Sequence, residues 1–251
     1  MTYKETRLLM GMPITVEIVD KMEGPQDIED VFAYLIYIDE TFSTYKDTSE
    51  ISRINRGELT PEEYSDDMKT VFALSQSMKQ STHGYFDIMR GDGTYDPSGL
   101  VKGWAIEGAV DILSKKGFSN FFVDAGGDVQ VSGHNAQDVD WKVGIRNPFH
   151  RDEIVKVVSL HNEAIATSGT YIRGAHIYNP LNRSESLNDV VSLTVIGPTI
   201  CDTDCYATAA FAMGYKGIRF IENIHGFEGY MIDKEGMATM TTGFERYCVP
   251  H

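Results

Sequence analysis

The chain has 251 residues, 42% hydrophobic and 24% charged, an ordinary globular composition with enough length to bury a sizeable core. Its 22 Lys and Arg against 37 Asp and Glu give a formal charge of −15, which argues against DNA or RNA as partner, because phosphate backbones are held by clustered cations. The opening apolar stretches are short and broken by Lys4, Glu5, Arg7 and Glu17, so neither an export signal nor a membrane span is read there.

In chain order, residues 3–19 predict a strand pair around Gly11, and the stripe Ile28, Val31, Leu35 and Ile38 predicts a helix over 27–41. Residues 42–55 are polar and rich in Ser and Thr, and read as loop. A second helical stripe runs from Met68 to Met78 and closes at His83–Gly84. Residues 87–99 carry the breakers Gly91, Gly93, Pro97 and Gly99, and a helix follows from Leu100 to Lys116, stopped by Gly117. Strands are expected over 120–124, 128–132, 141–146, 154–160, 164–168 and 190–196. Helices are expected over 203–213 and 216–224, then a closing hairpin over 228–241. Helices and strands do not alternate regularly, which favours α+β with largely antiparallel strands over a doubly wound parallel sheet. No linker or repeat divides the chain, so residues 1–251 are read as a single compact unit.

Five segments carry candidate chemistry. In TDCYATAAFAMG, Asp204 and Thr208 are four residues apart and share one helix face, and two oxygen donors suit Mg2+. Asp204 is read in the first helical turn, where amide N–H groups favour a phosphate. In DPSGLVKGWAIEG, Gly99 and Gly103 permit close backbone approach and Lys102 can meet an anionic oxygen. DAGGD offers Gly126 and Gly127, a tight turn or a ligand approach. In TSGTYIRGAHIYNP, His176 is a candidate general base. FSTYKDTSEISRIN offers hydroxyls at Ser43, Thr44 and Tyr45. Each segment alone also fits an ordinary cap, turn or loop. Cys201, Cys205 and Cys248 read as free thiols of a reducing compartment, with no second Cys/His pair at zinc spacing.

Taken in order, these segments, with MGMPITVEI near the start and Phe86–Asp87, resemble the ApbE family of FAD:protein FMN transferases across nearly the whole chain. The resemblance implies a mixed, T-fold-like α+β fold with FAD in a cleft. It implies Mg2+ on Asp204 and Thr208, with a backbone carbonyl near Val101 completing the protein's share. It places Met10, Ser43, Thr44, Tyr45, Phe86, Asp87, Lys102, Glu107, Gly126, Gly127, Thr167, Ser168 and Gly169 at FAD, and gives His176 to acceptor activation. Asn179 stands where the family has Asp before Pro180, Glu107 where it has Asp, and Trp104 where it usually has Tyr. Many family members are exported lipoproteins; without that leader, a cytoplasmic enzyme and a cytoplasmic acceptor protein are implied. An FAD pyrophosphatase giving FMN and AMP, a non-catalytic FAD carrier and a flavin oxidoreductase remain as alternatives.

Overall fold

The chain begins with an antiparallel pair, β1 (Tyr3–Leu9) and β2 (Met12–Ile18), in a computed structural model that describes residues 2–22, 24–150, 152–169, 178–182 and 189–249. The two-residue turn between them holds Met10 at φ 53° and Gly11 at φ 73°, the left-handed pair that matches strand twist in a tight hairpin. Alternation along β2 sends Met12, Ile14, Val16 and Ile18 inward. They join a core that includes Ile28, Val31, Phe32, Leu35 and Ile38, the apolar stripe of α1 (Gln26–Phe42).

The polar stretch after α1 is not all loop. It contains α2 (Glu50–Asn55), whose start is capped by Ser49 Oγ accepting from the Ser52 N–H at 3.2 Å, and which buries Ile51 and Ile54. Six residues are too few to show a helical period, so tertiary burial decides. Then come α3 (Asp66–Ser81) and α4 (Ser98–Lys115).

The remaining strands are β3 (Phe121–Ala125), β4 (Asp128–Ser132), β5 (Trp141–Arg146), β6 (Ile154–Leu160), β7 (Ala164–Gly169), β8 (Val190–Gly197), β9 (Glu228–Asp233) and β10 (Ala238–Met240). Eight of the ten form one sheet in the order β1-β2-β3-β4-β7-β8-β9-β10, antiparallel at every pairing, and β5 with β6 forms a separate ribbon. Inward residues of the main sheet such as Ile14, Val123, Ala166 and Val195 pack with the helices. From the other face, Val129, Val131, Ile165 and Ile196 pack against Trp141, Ile145, Val158 and Leu160 of the ribbon. The mixed α+β fold with largely antiparallel strands is therefore the fold adopted.

Two more helices follow β8: α5 (Ile200–Ala212) and α6 (Lys216–Glu222). Helix α5 begins three residues before the expected Thr203, directly after the extended Thr199. Asp204 consequently lies in the second turn, and the phosphate argument from first-turn amides does not apply to it; Asp202 is the first-turn acid. Buried nearly all round and rich in alanine, α5 crosses α4 closely at Gly103. A Cβ there would lie 2.9 Å from both Cys201 Cα and the Ile200 carbonyl oxygen, so only glycine permits this approach. Among the described residues, no helix is long and apolar enough to cross a membrane.

Candidate active site

The close crossing of α4 and α5 brings Lys102 against Asp204. Lys102 Nζ lies 3.2 Å from Asp204 Oδ1 and is also ion-paired with Asp128 Oδ2. Asp128 opens β4, directly after the Gly126–Gly127 turn, and its Oδ1 accepts from the Thr167 N–H at 2.9 Å. The side chains of Asp128 and Asp204 are only 4% and 3% exposed, so two carboxylates share one ammonium away from water. Burial pushes the Asp204 carboxyl up to about 7; Lys102 opposes the shift and Asp128 adds to it. Burial alone would lower the Lys102 pKa, but Asp128 and Asp204 outweigh it and hold the ammonium charged. Asp204 Oδ2 is buried and, among the described residues, has no hydrogen-bond partner. An unsatisfied buried carboxylate oxygen is costly and points to a missing cation or donor.

Thr208 stands one turn further along α5. The pleat of β7 puts Ser168 on the helix side of the sheet, with Ser168 Oγ 3.4 Å from Thr208 Oγ1. Asp204, Thr208, Ser168 and Gly99 line one cleft. The polar side-chain and backbone acceptors that these four offer are oxygens, the chemistry of a hard cation such as Mg2+. The residues present thus fit the expected ion, and the orphaned Asp204 oxygen is the observation that says so.

Phe86, Asp87, Lys102, Gly126, Thr167, Ser168 and Gly169 of the expected FAD contacts also line this cleft. Met10, Ser43, Thr44, Tyr45 and Val101 line a smaller recess that joins it through Ser98 and Lys102. Val101 therefore faces the recess, whereas Gly99, two residues earlier, borders the cleft with Asp204 and Thr208. Gly127, at φ 103°, completes a two-residue hairpin turn with Gly126 (φ 66°) and donates its N–H to Asp124 Oδ1 at 2.7 Å; it does not line the cleft. Glu107 is five residues past Lys102 on α4, roughly 140° around the helix at 3.6 residues per turn. It lines a different surface cavity with Trp104, Asp111, Cys201 and Asp202. Burial, then Asp202 and Asp111, raise its pKa. His176 lies outside the described residues. Asn179 is buried, and its Oδ1 accepts from the Leu181 N–H at 3.0 Å, a turn-forming bond that the oxygen of either Asn or Asp can accept.

Three charged cleft residues went unrecognised in the sequence. Asp128 is the last residue of the DAGGD segment, and Asp96 the first of DPSGL, so both lay inside segments already singled out. Asp96 is ion-paired with Arg90 and accepts from the Ser98 N–H at 3.1 Å, fixing the entry to α4. Arg90 carried no sequence signal.

The ApbE family model matches residues 10–94 and 89–231. The FAD:protein FMN transferase of Escherichia coli K12 is 27% identical over 190 residues, covering 71% of this chain and 54% of that protein. The protein of the same name from Vibrio cholerae serotype O1 is 31% identical over 128 residues, covering 47% of this chain and 38% of that one. The chain thus spans about half the length of the first of these curated relatives and less of the second. Among solved structures, the flavin transferase ApbE from Vibrio cholerae superposes with a TM-score of 0.86 at 22% identity, covering 98% of this chain and 99% of that one. The ApbE protein from Thermotoga maritima gives 0.87 at 19% identity with 100% of both chains covered. At these identities the superpositions speak for the fold, and the family match for the lineage: the chain belongs to the ApbE family.

Proposed function

We propose that this chain is an Mg2+-dependent FAD:protein FMN transferase, one catalytic domain over residues 1–251, which moves FMN from FAD onto a threonine or serine hydroxyl of a target flavoprotein and releases AMP. The observation that carries this reading is the buried Lys102–Asp128–Asp204 cluster, bordering a cleft and leaving Asp204 Oδ2 without a partner. Its support in kinship is the name shared by the curated relatives.

Asp204 and Thr208 would hold Mg2+ from successive turns of α5, with a backbone carbonyl in the Gly99–Val101 stretch as a further donor. Bound there, the ion supplies Lewis acidity to the diphosphate and offsets charge on the departing AMP. Lys102 offers its ammonium to the same anionic oxygens, while Asp128 anchors it from below. The polar cleft takes the diphosphate; Met10, Tyr45 and their neighbours in the adjoining recess take a ring system. The acceptor hydroxyl oxygen attacks the FMN-side phosphorus, the bond from that phosphorus to the bridging oxygen breaks, and AMP leaves. His176, assigned from the sequence, takes the hydroxyl proton. The flavin is cargo, and no electron is transferred.

Purified protein incubated with Mg2+, FAD and a candidate acceptor flavoprotein tests this. A flavin-fluorescent acceptor band on a denaturing gel together with AMP is expected, and Asp204→Ala abolishes both. Free FMN that forms regardless of acceptor identifies a pyrophosphatase. Bound FAD with no AMP under any metal identifies a carrier. Undiminished turnover in Asp204→Ala removes the assignment of the site.

A further inference from the structure

Outside the cleft, three connections meet where the ribbon joins the main sheet. His134 follows β4, Asp140 precedes β5, and His161 follows β6. The pairing of Trp141 with Leu160 carries on outward to set Asp140 beside His161. The surrounding backbone is tied down. The His134 N–H donates to Asn120 Oδ1 and the Gly133 N–H to Asn162 Oδ1, both at 2.9 Å, and Asn135 Nδ2 donates to the Asp140 carbonyl at 3.1 Å. The His161 N–H donates to Glu163 Oε2 at 2.7 Å.

On this frame, Asp140 Oδ1 lies 3.6 Å from His134 Nε2 and 3.4 Å from His161 Nδ1. One donor atom from each of the three residues falls within 4.8 Å of the others. The imidazole rings are 4.5 Å apart between centroids and tilted by 52°, not stacked face to face. Among the described residues, the buried His161 Nδ1 has no hydrogen-bond partner, so its proximity to Asp140 is not an aligned donor–acceptor contact. Ligand bonds of about 2.0–2.2 Å in a tetrahedral shell put neighbouring donor atoms about 3.3–3.6 Å apart, and the two Asp140–imidazole separations, 3.6 and 3.4 Å, match it. The three side chains are 41%, 47% and 42% exposed, so one side of the cluster stays open to water.

We infer that His134, Asp140 and His161 form a second metal site, for a divalent cation of the zinc class, with an open coordination position on the solvent side. Two imidazole nitrogens and one carboxylate select a borderline cation over Mg2+, which takes oxygens. None of the three residues lines the cleft, so this site is separate from the one bearing Asp204. Its ion joins the end of β4 to both strands of the ribbon at one end, a clamp between two sheets that are already held there by side-chain packing and by the Trp141 Nε1 bond to the Ser132 carbonyl at 3.1 Å. The separations in sequence, 134 to 140 to 161, follow no linear zinc pattern; the fold alone assembles them.

Co2+ titration of the tag-free, chelator-treated full chain in excess Mg2+ tests the site. One Co2+ per chain is expected, with visible ligand-field absorption that one equivalent of Zn2+ displaces, and Zn2+ raises Tm. His134→Ala and His161→Asn weaken Co2+ binding at least tenfold and lose the Zn2+ effect on Tm. Their unchanged circular dichroism without metal shows that folding is intact. Asp204→Ala keeps the Co2+ spectrum. The inference is overturned if folded wild-type protein binds no Co2+, if the histidine variants bind it as tightly as wild type, or if Asp204→Ala removes the spectrum.

Discussion

Ser168 Oγ and Thr208 Oγ1 stand 3.4 Å apart across the gap between β7 and α5. The contact is too long to be a strong hydrogen bond, which leaves both oxygens available to a third partner. Thr208→Val keeps the side chain's shape and removes its oxygen. AMP release with Mg2+ is expected to fall about 100-fold, or about 2.7 kcal/mol, with Tm nearly unchanged. Ser168→Ala is expected to cost about tenfold, or about 1.4 kcal/mol. Full activity in Thr208→Val rules out the hydroxyl as a metal ligand.

Lys102→Met removes the one ammonium between two buried carboxylates. Breaking a buried pair from one side destabilises by about 3–5 kcal/mol. The loss, read by urea denaturation without metal, is greater at pH 8 than at pH 5.5, because the Asp204 carboxyl, pushed up to about 7, takes a proton at the lower pH and relieves the repulsion. Adding Asp204→Asn restores part of the stability at pH 8. Strict additivity of the two changes shows that the charges are not coupled.

Glu107 faces Asp111 and Asp202 in a cavity apart from the cleft, and its folded-state pKa is raised by burial and by these like charges. A raised carboxyl pKa contributes stability that is complete below the unfolded value and is lost as pH rises through the folded one. Glu107→Gln, which stays neutral, therefore raises Tm at pH 8 and leaves it unchanged at pH 4. Because Glu107 does not line the cleft proposed to take FAD, the Kd for FAD is expected to change less than about twofold, an amount worth about 0.4 kcal/mol. A tenfold weaker Kd returns Glu107 to the FAD contacts implied by the family resemblance.

Tyr45 is 95% exposed at the recess shared with Met10 and Val101. A large ring left in water gains by covering a flat ligand, which for an aromatic pair is worth about 0.5–1.5 kcal/mol beyond area. Tyr45→Ala is expected to weaken FAD binding about tenfold by fluorescence titration and to shift stability by less than about 0.5 kcal/mol. An unchanged Kd places the flavin elsewhere.

Much of this architecture was legible because its cues are local. The stripe of α1, the alternation in β2 and the twin glycines after β3 each impose a period or a backbone angle that residue type alone reveals. Helix α2 was hidden because its burial, not its period, makes it a helix. The true start of α5, three residues before Thr203, carries no local cue, because its cap residue, Thr199, makes no side-chain capping bond. Within the site, Lys102 and Asp204 were found from their segments. Asp128 was not, because its role arises only when β4 folds under α4. The separation of Glu107 from Lys102 follows from helix geometry, which the family's linear spacing masks.

At Gly103 the backbones of α4 and α5 touch through a lone hydrogen, where any larger substituent meets main-chain atoms at 2.9 Å. The gap across which Lys102 greets Asp204 is thus a property of the scaffold's tightest seam. A substitution in a neighbouring core residue that moves one helix against the other therefore also moves Lys102 against Asp204. In this chain, the tight packing of two helices and the placement of a buried charge pair are one and the same constraint.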